Sequence, residues 1–351
     1  MKKKLNSSHR LAIYMPHSLT HENGKMGLGI LRFSTNEICC VIDPDHKGKN
    51  LKALTGIDKS IPIVSDLQEA IGLHANALIL GIAPSGGRLP DTWTKPIEDA
   101  LTAGFLVVNG LHDKLADKFS YLLSNPTNKG SVWDVREVLK EYTIGSAKAN
   151  ELKNKRILTV GTDMASGKMT AGLLLNKKLL QNNFSSSFVA TGQIGITISG
   201  QGIPLDAIKV DNAAAAVEDE VMSRQKFDHI IIEGQGSLGH PGSTATLPLM
   251  RGSCPTHLLL CHKIKETHLK NPVSHIPFPD LNRFIKMNEE VASLCGVFNR
   301  PKTFAISLNT HGLGMQKADQ LIQEVQDNTG IFTSDIVRYG AQGYFTALEK
   351  S

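Results

Sequence analysis

The most constraining feature of this chain is a glycine-bounded loop between an apolar segment and a helix-forming segment. The apolar run Ile157 to Val160 leads into a loop bounded by Gly161 and Gly167, and Lys168 follows at once. The leucine-rich residues Met169 to Leu180 come next and favour a helix. This order is typical of a P-loop, in which backbone N–H groups close around a phosphate and the lysine adds a positive charge. The sequence therefore predicts that the second half of the chain binds a phosphorylated ligand.

The loop differs from the common P-loop motif in two places. Five residues separate its glycines, where the common motif has four. Met169 stands where that motif has the Ser or Thr that ligates magnesium, and Thr170 comes one residue later. A loop of the form Gly-Thr-Asp-x-x-x-Gly-Lys resembles dethiobiotin synthetase more than a GTPase. The alternative interpretation is a turn that only links strand to helix. The ligand contacts predicted here are Gly161, Thr162, Asp163, Ser166, Gly167, Lys168, Met169 and Thr170.

A second motif follows the apolar run His229 to Ile232, which predicts a buried strand. Glu233 comes directly after it, where P-loop proteins place an acid that holds magnesium. Glu233 is therefore a candidate metal ligand or general base, although it could also cap the next helix. The residues after it, predicted to contact the ligand through backbone or side chain, are Gly234, Gln235, Gly236 and Ser237. Gln193 joins this prediction if the strand before it pairs with the P-loop strand.

His240 stands out among the histidines because it closely follows the Glu233 turn. A neutral imidazole there could accept a proton near pH 7, although a structural loop residue is the alternative. The other histidines of the second half show no ligand spacing typical of zinc. The sequence therefore leaves the metal unassigned.

Alternating apolar runs and helical segments predict two doubly wound α/β domains, a Rossmann-like domain over residues 1–150 and a P-loop domain over 151–351. Gly145 to Asn150 would connect them. Predicted strands of the first domain are Leu11–Met15, Glu37–Ile42, Ala77–Ile82 and Phe105–Asn109. Those following the P-loop are Phe188–Ala190, His229–Glu233, Leu258–Cys261 and Phe304–Leu308, with an alanine-rich helix over Asp211–Arg224.

Composition narrows the classes of partner. No apolar run approaches the ~20 residues that cross a bilayer, so we expect a cytoplasmic protein without a membrane partner. The net charge of +5 is mild and aromatics make up 5% of the chain, which disfavours nucleic acid as a ligand. A small anionic molecule explains the charge, and a homo-oligomer is possible. The five cysteines lack Cys-x-x-Cys spacing and are expected to be buried thiols.

Three motifs together resemble the D-glutamate N-acetyltransferase-like family, long catalogued only as a domain of unknown function. They are the loop from Gly161 to Thr170, Asp211-Asn212 with Glu218, and the string from Glu233 to Pro241. The resemblance spans nearly the whole chain. Residues of the first half that look similar to the family pattern are Gly24, Lys25, Arg32 and Trp133 to Arg136.

The resemblance implies transfer of acetyl from acetyl-CoA to the amino group of a D-amino acid such as D-glutamate. Glu233 or His240 would take the amine proton, and Lys168 or the amides of Gly234 and Gly236 would stabilise the oxyanion. Arg251 and Lys263, chosen only for their nearness in sequence, could hold the acceptor's carboxylates. Two alternatives stay open: an ATP- and magnesium-dependent enzyme that activates a carboxylate, as dethiobiotin synthetase does, and a non-catalytic nucleotide-binding regulatory protein.

Overall fold

The computed structural model describes residues 4–270 and 272–351 and divides the chain into two compact units. The first unit comprises the described residues up to Leu139 together with Gln193–Pro204, and the second comprises Lys140–Gly192 and Leu205–Ser351. These units differ from the predicted ranges in two places. Residues 140–150 belong to the second unit because Glu218 holds them, and 193–204 form an excursion that packs in the first unit.

Each unit is built on a six-stranded parallel sheet, which confirms the predicted fold class of two doubly wound α/β domains. The strands of the first sheet are β1 (Leu11–Tyr14), β2 (Ile38–Ile42), β3 (Ile63–Val64), β4 (Ala77–Leu80), β5 (Leu106–Asn109) and β6 (Ser131–Asp134). Those of the second are β7 (Lys155–Gly161), β8 (Ser186–Val189), β9 (His229–Ile232), β10 (His257–Lys263), β11 (Lys302–Asn309) and β12 (Phe332–Ser334).

Helices cover the sheets and follow the strands in the alternation that parallel sheets require. They are α1 (Lys25–Phe33), α2 (Leu51–Thr55), α3 (Leu67–Gly72), α4 (Thr94–Thr102), α5 (Leu115–Lys118), α6 (Ser120–Leu123), α7 (Lys168–Gln181), α8 (Gln193–Ser199), α9 (Val210–Met222), α10 (Thr246–Ser253), α11 (Leu281–Ala292), α12 (Met315–Thr329), α13 (Ile336–Tyr339) and α14 (Gln342–Glu349). Short 3-10 helices span Glu22–Gly24, Pro44–His46, Ser85–Gly87, Asp91–Trp93, Lys148–Glu151 and Leu205–Ala207. No helix in the described ranges has the length and apolar character that a bilayer crossing requires.

The first sheet has the order β3-β2-β1-β4-β5-β6, which is that of the dinucleotide-binding fold. The crevice of that fold lies beyond β1, where the strand order reverses. Met15 fills this position, since Cβ atoms built on Gly27 and Gly81 would lie 2.2 Å and 2.5 Å from its side chain. Asp43, beyond β2, accepts a hydrogen bond from the His17 amide at 3.0 Å. In a dinucleotide-binding enzyme, an acid at this position would bind the ribose. In this chain Asp43 instead fixes the loop after β1.

The second sheet has the order β12-β11-β10-β7-β9-β8, so β7 is central and lies between β10 and β9. The condition attached to Gln193, that the strand before it pairs with the P-loop strand, is therefore not met. β9 lies between β7 and β8. After β7 the chain first forms the edge strand β8, and it then returns to form β9 beside β7. Consecutive elements are neighbours only about two-thirds of the time.

Three strands were not predicted, and all are short. β3 has two residues, β6 buries only Trp133 fully, and β12 buries only Thr333 fully. All three lie at edges of the sheets. An edge strand is covered on fewer sides than a central one, so its sequence lacks the continuous apolar run that reveals the others.

Candidate functional site

The P-loop joins β7 to α7 at the centre of the second sheet. Ala165 and Gly167 adopt positive φ angles of 55° and 107°, which turn the chain sharply into the helix. The amides of Thr162 and Met164 donate to Cys261 O and Asp163 Oδ1. Within the described ranges, by contrast, no protein acceptor binds the amides of residues 165–169. Helix α7 therefore begins with unpaired donors and with the positive end of its dipole.

Lys168 is the first residue of α7, one position earlier than the predicted helix start, and it is buried. Its ammonium donates to Asp163 O at 2.8 Å and lies 3.3 Å from Ser166 Oγ, so the side chain curls back over the loop. Burial lowers the pKa of Lys168 to about 8, although Cys261, Asp163 and Glu233 oppose the shift. An anion bound on this loop would restore the lost solvation of the ammonium.

Gly161 keeps the space inside the loop open. A Cβ atom built at this position would lie 2.3 Å from Ser166 Oγ and 3.1 Å from Lys168 Nζ. A side chain here would overlap Ser166 Oγ and crowd the Lys168 ammonium, so the close packing of the loop requires glycine at this position.

Thr162, the residue after Gly161, is fixed through all its polar groups. Its carbonyl accepts from Ser237 Oγ at 3.0 Å, and its hydroxyl lies 2.9 Å from His262 Nδ1. Burial lowers the pKa of His262 to about 4, so this imidazole is neutral at physiological pH. His262 was not predicted as a site residue, because it lies 100 positions from Thr162 and meets it only through the pairing of β7 with β10.

Glu233 directly follows β9 and is buried, with 5% of its surface exposed. Its Oε2 accepts hydrogen bonds from the amides of Thr191 at 2.8 Å and Gly192 at 3.2 Å. Burial raises the pKa of Glu233 to about 7, although the two amides and the Lys168 charge favour the ionised form. Its Oε1 accepts no hydrogen bond from the described part of the chain. The carboxyl is thus held in place with one oxygen uncommitted and a pKa suited to proton exchange.

Gly234 allows β9 to pass close to the P-loop strand. Its amide donates to Thr159 Oγ1 at 2.8 Å, and a Cβ atom at this position would lie 1.6 Å from Thr159 O and 3.1 Å from Lys168 Cδ. The first of these atoms is backbone and cannot move without disturbing the pairing of β7 with β9.

We expect Gly234→Ala to lower the free energy of unfolding by about 3 kcal/mol, because the new methyl group overlaps a fixed carbonyl oxygen. Thermal and urea unfolding of the purified variant measure this change. Gly72→Ala is the matched control, since a Cβ atom there meets nothing within 4 Å. Equal stability of the two variants would contradict the close approach described for Gly234.

The segment from Gln235 to Ser243 folds into a compact loop. Gly236 has φ of 64°, and its missing Cβ leaves room for Ser243 Oγ, which accepts from the Ser237 amide at 3.1 Å. The Gln235 carbonyl accepts from Thr246 Oγ1 at 2.8 Å. Since Ser237 also reaches Thr162, this loop and the P-loop form one connected structure.

His240 lies in this loop with 6% of its surface exposed. Its Nδ1 accepts a hydrogen bond from the Gly242 amide at 3.1 Å. Its Nε2 is buried and has no hydrogen-bond partner among the described residues. A buried polar atom without a partner is uncommon in folded proteins.

Three other residues singled out from the sequence have the following surroundings. Gln193 begins α8, which packs on α1 in the first unit. Glu218 accepts from the Ser146 and Lys148 amides at 3.1 Å and 3.0 Å, and so anchors the connector. Arg251 is exposed on α10.

Asp211 and Asn212 lie in the first turn of helix α9 and do not cap it. Helix α9 begins after Lys209 without a side-chain cap, and Asn212 instead donates to the Tyr142 carbonyl.

Lys263 is half-buried, and its ammonium lies 3.1 Å from Glu266 Oε1. Burial lowers the pKa of Lys263.

The cysteines and potential metal ligands follow a simple pattern. Cys295 is exposed, contrary to prediction, whereas the other four thiols are buried as expected. Cys295 lies in a left-handed turn after α11 that leaves its side chain outside the core. No group of three or more His, Cys, Asp or Glu side chains within residues 4–270 and 272–351 is arranged to hold a metal ion.

Both units of this chain match known families of domains. The P-loop domain of DUF1611, a domain of unknown function, matches residues 143–344, and the Rossmann-like domain of the same name matches residues 44–138. The crystal structure of a DUF1611 family protein from Anabaena variabilis ATCC 29413 has a TM-score of 0.93 and 41% identity, and the match covers 98% of this chain and 100% of that one.

Two curated proteins are also similar over most of their length. A D-glutamate N-acetyltransferase from a Pseudoalteromonas species is 34% identical over 281 residues, which are 80% of this chain and 83% of that protein. A protein of the same name from Tritonibacter scottomollicae is 32% identical over 308 residues, which are 87% of this chain and 90% of that protein.

Proposed function

The chain belongs to the DUF1611 family of proteins with Rossmann-like and P-loop domains, and from that premise we propose that it is an N-acetyltransferase that moves acetyl from acetyl-CoA to the amino group of a D-amino acid. The family resemblance predicted from the sequence is confirmed. The names of the curated relatives support the reaction type and make D-glutamate the first acceptor to test.

The observation that carries the proposal is the set of unpaired amides at residues 165–169 beside the Lys168 ammonium. CoA contains a diphosphate and a 3′-phosphate, and a helix N-terminus with unpaired amides is suited to such groups. Gly167 and Ala165 adopt left-handed backbone angles here, and successive amides in such a turn can form an anion-binding concavity. These donors fit a phosphate of the cofactor.

The side chains around the loop favour CoA over magnesium ATP. Met169 offers a thioether at the position where a magnesium-dependent P-loop has a hydroxyl. Phosphate binding through amides and Lys168 alone needs no metal, which matches a cofactor whose phosphates do not react.

Acetyl-CoA supplies an activated acetyl thioester at the end of the molecule opposite its phosphates. We therefore assign Lys168 the role of binding a phosphate of the cofactor. Glu233 is assigned the role of accepting the proton of the acceptor amine. This assignment requires the pantetheine arm to bend back towards the carboxyl end of β9. In the acetyl-transfer step, the amine nitrogen bonds to the carbonyl carbon of the thioester. The C–S bond breaks, and the electron pair of that bond leaves with sulfur. Glu233 takes the amine proton and can return it to the departing thiolate.

The acceptor's carboxylates need cationic or amide partners. Lys263 is the better placed of the two predicted cations, because it ends β10, the neighbour of the P-loop strand. The amide of Lys270 donates to Asp163 Oδ2 at 3.3 Å. The ammonium of Lys270 lies close enough to Lys263 to lower its pKa further. We propose that this lysine pair, rather than the exposed Arg251, holds an acceptor carboxylate.

Calorimetric titration with acetyl-CoA in EDTA, and separately with magnesium ATP, tests the proposal. We expect saturable acetyl-CoA binding that EDTA does not weaken, because the site needs no metal. Release of free thiol should then follow addition of D-glutamate or another D-amino acid. Binding of ATP without binding of CoA would overturn the acetyltransferase assignment in favour of carboxylate activation. Binding without thiol release across a panel of D- and L-amino acids would favour a regulatory protein.

A further inference from the structure

The side chain of Gln235 lies beside the Glu233 carboxyl, at the turn that follows β8. A Cβ atom built on Gly192 would lie 2.6 Å from Gln235 Nε2 and 3.5 Å from Glu233 Oε1. Both atoms therefore border one position within the second unit. Glu233 and Gln235 are two residues apart, and side chains at that spacing point to the same face of an extended chain. The carboxamide thus lies on the side of the Glu233 oxygen that accepts no hydrogen bond.

The carboxamide is an available donor that a ligand can reach. In the described part of the chain only the backbone carbonyl of Gln235 is hydrogen-bonded, and the residue is partly exposed. The described polar atoms that are both unpaired and sealed from solvent include neither Gln235 Nε2 nor Glu233 Oε1. Solvent therefore reaches both atoms. The nitrogen end of the carboxamide faces Gly192, and its N–H groups can only donate.

Acetyl transfer needs a donor at this place, because the carbonyl oxygen of a thioester gains negative charge when the amine attacks. Two of the donors predicted from the sequence are already committed. The Gly234 amide donates to Thr159 Oγ1 at 2.8 Å, and Lys168 is assigned to a phosphate. The Gly236 amide is the remaining one. Gln235 adds a side-chain donor next to the proposed base.

The backbone that carries this side chain is fixed before a ligand binds. The carbonyl of Gln235 accepts from Thr246 Oγ1 at 2.8 Å, and the preceding amide is bonded to Thr159. The stem of Lys168 also packs against Gly234, where a Cβ atom would lie 3.1 Å from Lys168 Cδ. Gln235 therefore extends from a rigid segment at the P-loop, and donors oriented in advance are the ones that stabilise developing charge effectively.

We propose that Gln235 is a catalytic residue whose Nε2–H donates a hydrogen bond to the acetyl carbonyl oxygen of the cofactor, while Glu233 accepts the amine proton. Gly192 is then a positioning residue, because the carboxamide occupies the place that a side chain there would take. This inference rests on the proposed acetyl transfer and deepens it, since it places the donor for the oxyanion next to the base. When the C–S bond breaks, the charge returns from the oxygen and the hydrogen bond weakens.

Removal of the donor tests the role of Gln235. Gln235→Met keeps most of the side-chain volume without the N–H groups, and we expect it to lose about 100- to 1,000-fold in kcat. KM for acetyl-CoA and for the acceptor should change little, because the hydrogen bond strengthens only as charge develops. A raised KM for the acceptor with kcat unchanged would mean that the carboxamide binds the acceptor instead, and would overturn the inference.

Gly192→Ala tests the position of the carboxamide. The backbone of Gly192 is not left-handed, and the new methyl group would overlap only Gln235 Nε2, the end of a flexible side chain. We expect a loss of at least about tenfold in kcat, but of no more than about threefold when Gly192→Ala is added to Gln235→Ala, which has no carboxamide to displace. Losses that multiply fully would contradict the contact. Gly72→Ala, where a Cβ atom meets nothing within 4 Å, is the control and should keep the kcat of the parent protein.

Infrared spectroscopy of bound acetyl-CoA, isotopically labelled at the carbonyl carbon, detects the hydrogen bond without turnover. We expect the carbonyl stretch to move to lower frequency in the parent protein, and most of that shift to disappear in Gln235→Met and in Gly192→Ala. An equal shift in all three proteins would overturn the donor role of Gln235 and leave the proposed acetyl transfer intact. The expected pattern without acetylation of any acceptor would refute the transfer, while the donor role would stand.

Discussion

Replacing Lys168 with methionine is expected to weaken acetyl-CoA binding by about 10- to 100-fold. Hydrogen bonds to charged groups contribute about 1.5–3 kcal/mol, and each 1.4 kcal/mol is a factor of ten in affinity. The ammonium is buried, so no water replaces it at the phosphate. Methionine keeps the aliphatic part of the side chain that packs beside Gly234 and removes only the charge and the donors. Lys168→Ala should lose at least as much, because it also leaves a void.

Calorimetry at constant ionic strength measures this loss. Lys177→Ala is the matched control, since Lys177 is an exposed lysine on the same helix. It changes the net charge equally and should leave the affinity within about twofold. If Lys168→Met binds acetyl-CoA as tightly as Lys177→Ala does, the ammonium is not at the phosphate.

Replacing Glu233 with glutamine is expected to lower kcat by about 100- to 10,000-fold, the range typical of a lost general base. The amide oxygen of glutamine can still accept from Thr191 and Gly192, so the local fold should survive. The pH profile gives the more specific result. Since the pKa of Glu233 is raised to about 7, its carboxylate fraction increases as the pH rises through 7. Activity should rise with it.

The decrease in activity at high pH is expected to come from Lys168. The pKa of Lys168 in the free protein is lowered to about 8, so the ammonium is lost as the pH rises above that value. We therefore expect kcat/KM for acetyl-CoA to be bell-shaped, with limbs near 7 and 8, and Glu233→Gln to remove the acidic limb alone. Glu218→Gln is the control, because Glu218 is also buried and bound by backbone amides but lies at the connector. Loss of the acidic limb in both variants, or in neither, would contradict the assigned role of Glu233.

The parts of the site that are contiguous in sequence were predictable. The turn from β7 through Gly167 into α7 is fixed by local chemistry, since glycines, a lysine and an apolar run suffice to specify it. The position of Glu233 at the end of a buried strand was predicted in the same way, from the three β-branched residues before it. The core strands were also recognisable, because central parallel strands are apolar throughout.

The long-range partners were not predictable. Thr191 and Gly192 bind the Glu233 carboxylate only because β9 pairs with β8, and local pattern carries no information on strand order. The condition attached to Gln193, pairing of the strand before it with the P-loop strand, failed for the same reason. The pairing of His262 with Thr162 depends on the register of β10 against β7. The hydrogen bond from the Gly242 amide to His240 Nδ1 depends on a loop conformation that composition does not encode.

A crystal structure with bound CoA is the most direct test of the central claim that a cofactor phosphate rests on the P-loop. The prediction is phosphate oxygens within 2.7–3.2 Å of the amides of residues 165–169, with the Lys168 ammonium turned from Asp163 O towards them. Density for CoA with all its phosphates away from this loop, and Lys168 still bonded to Asp163, would contradict it.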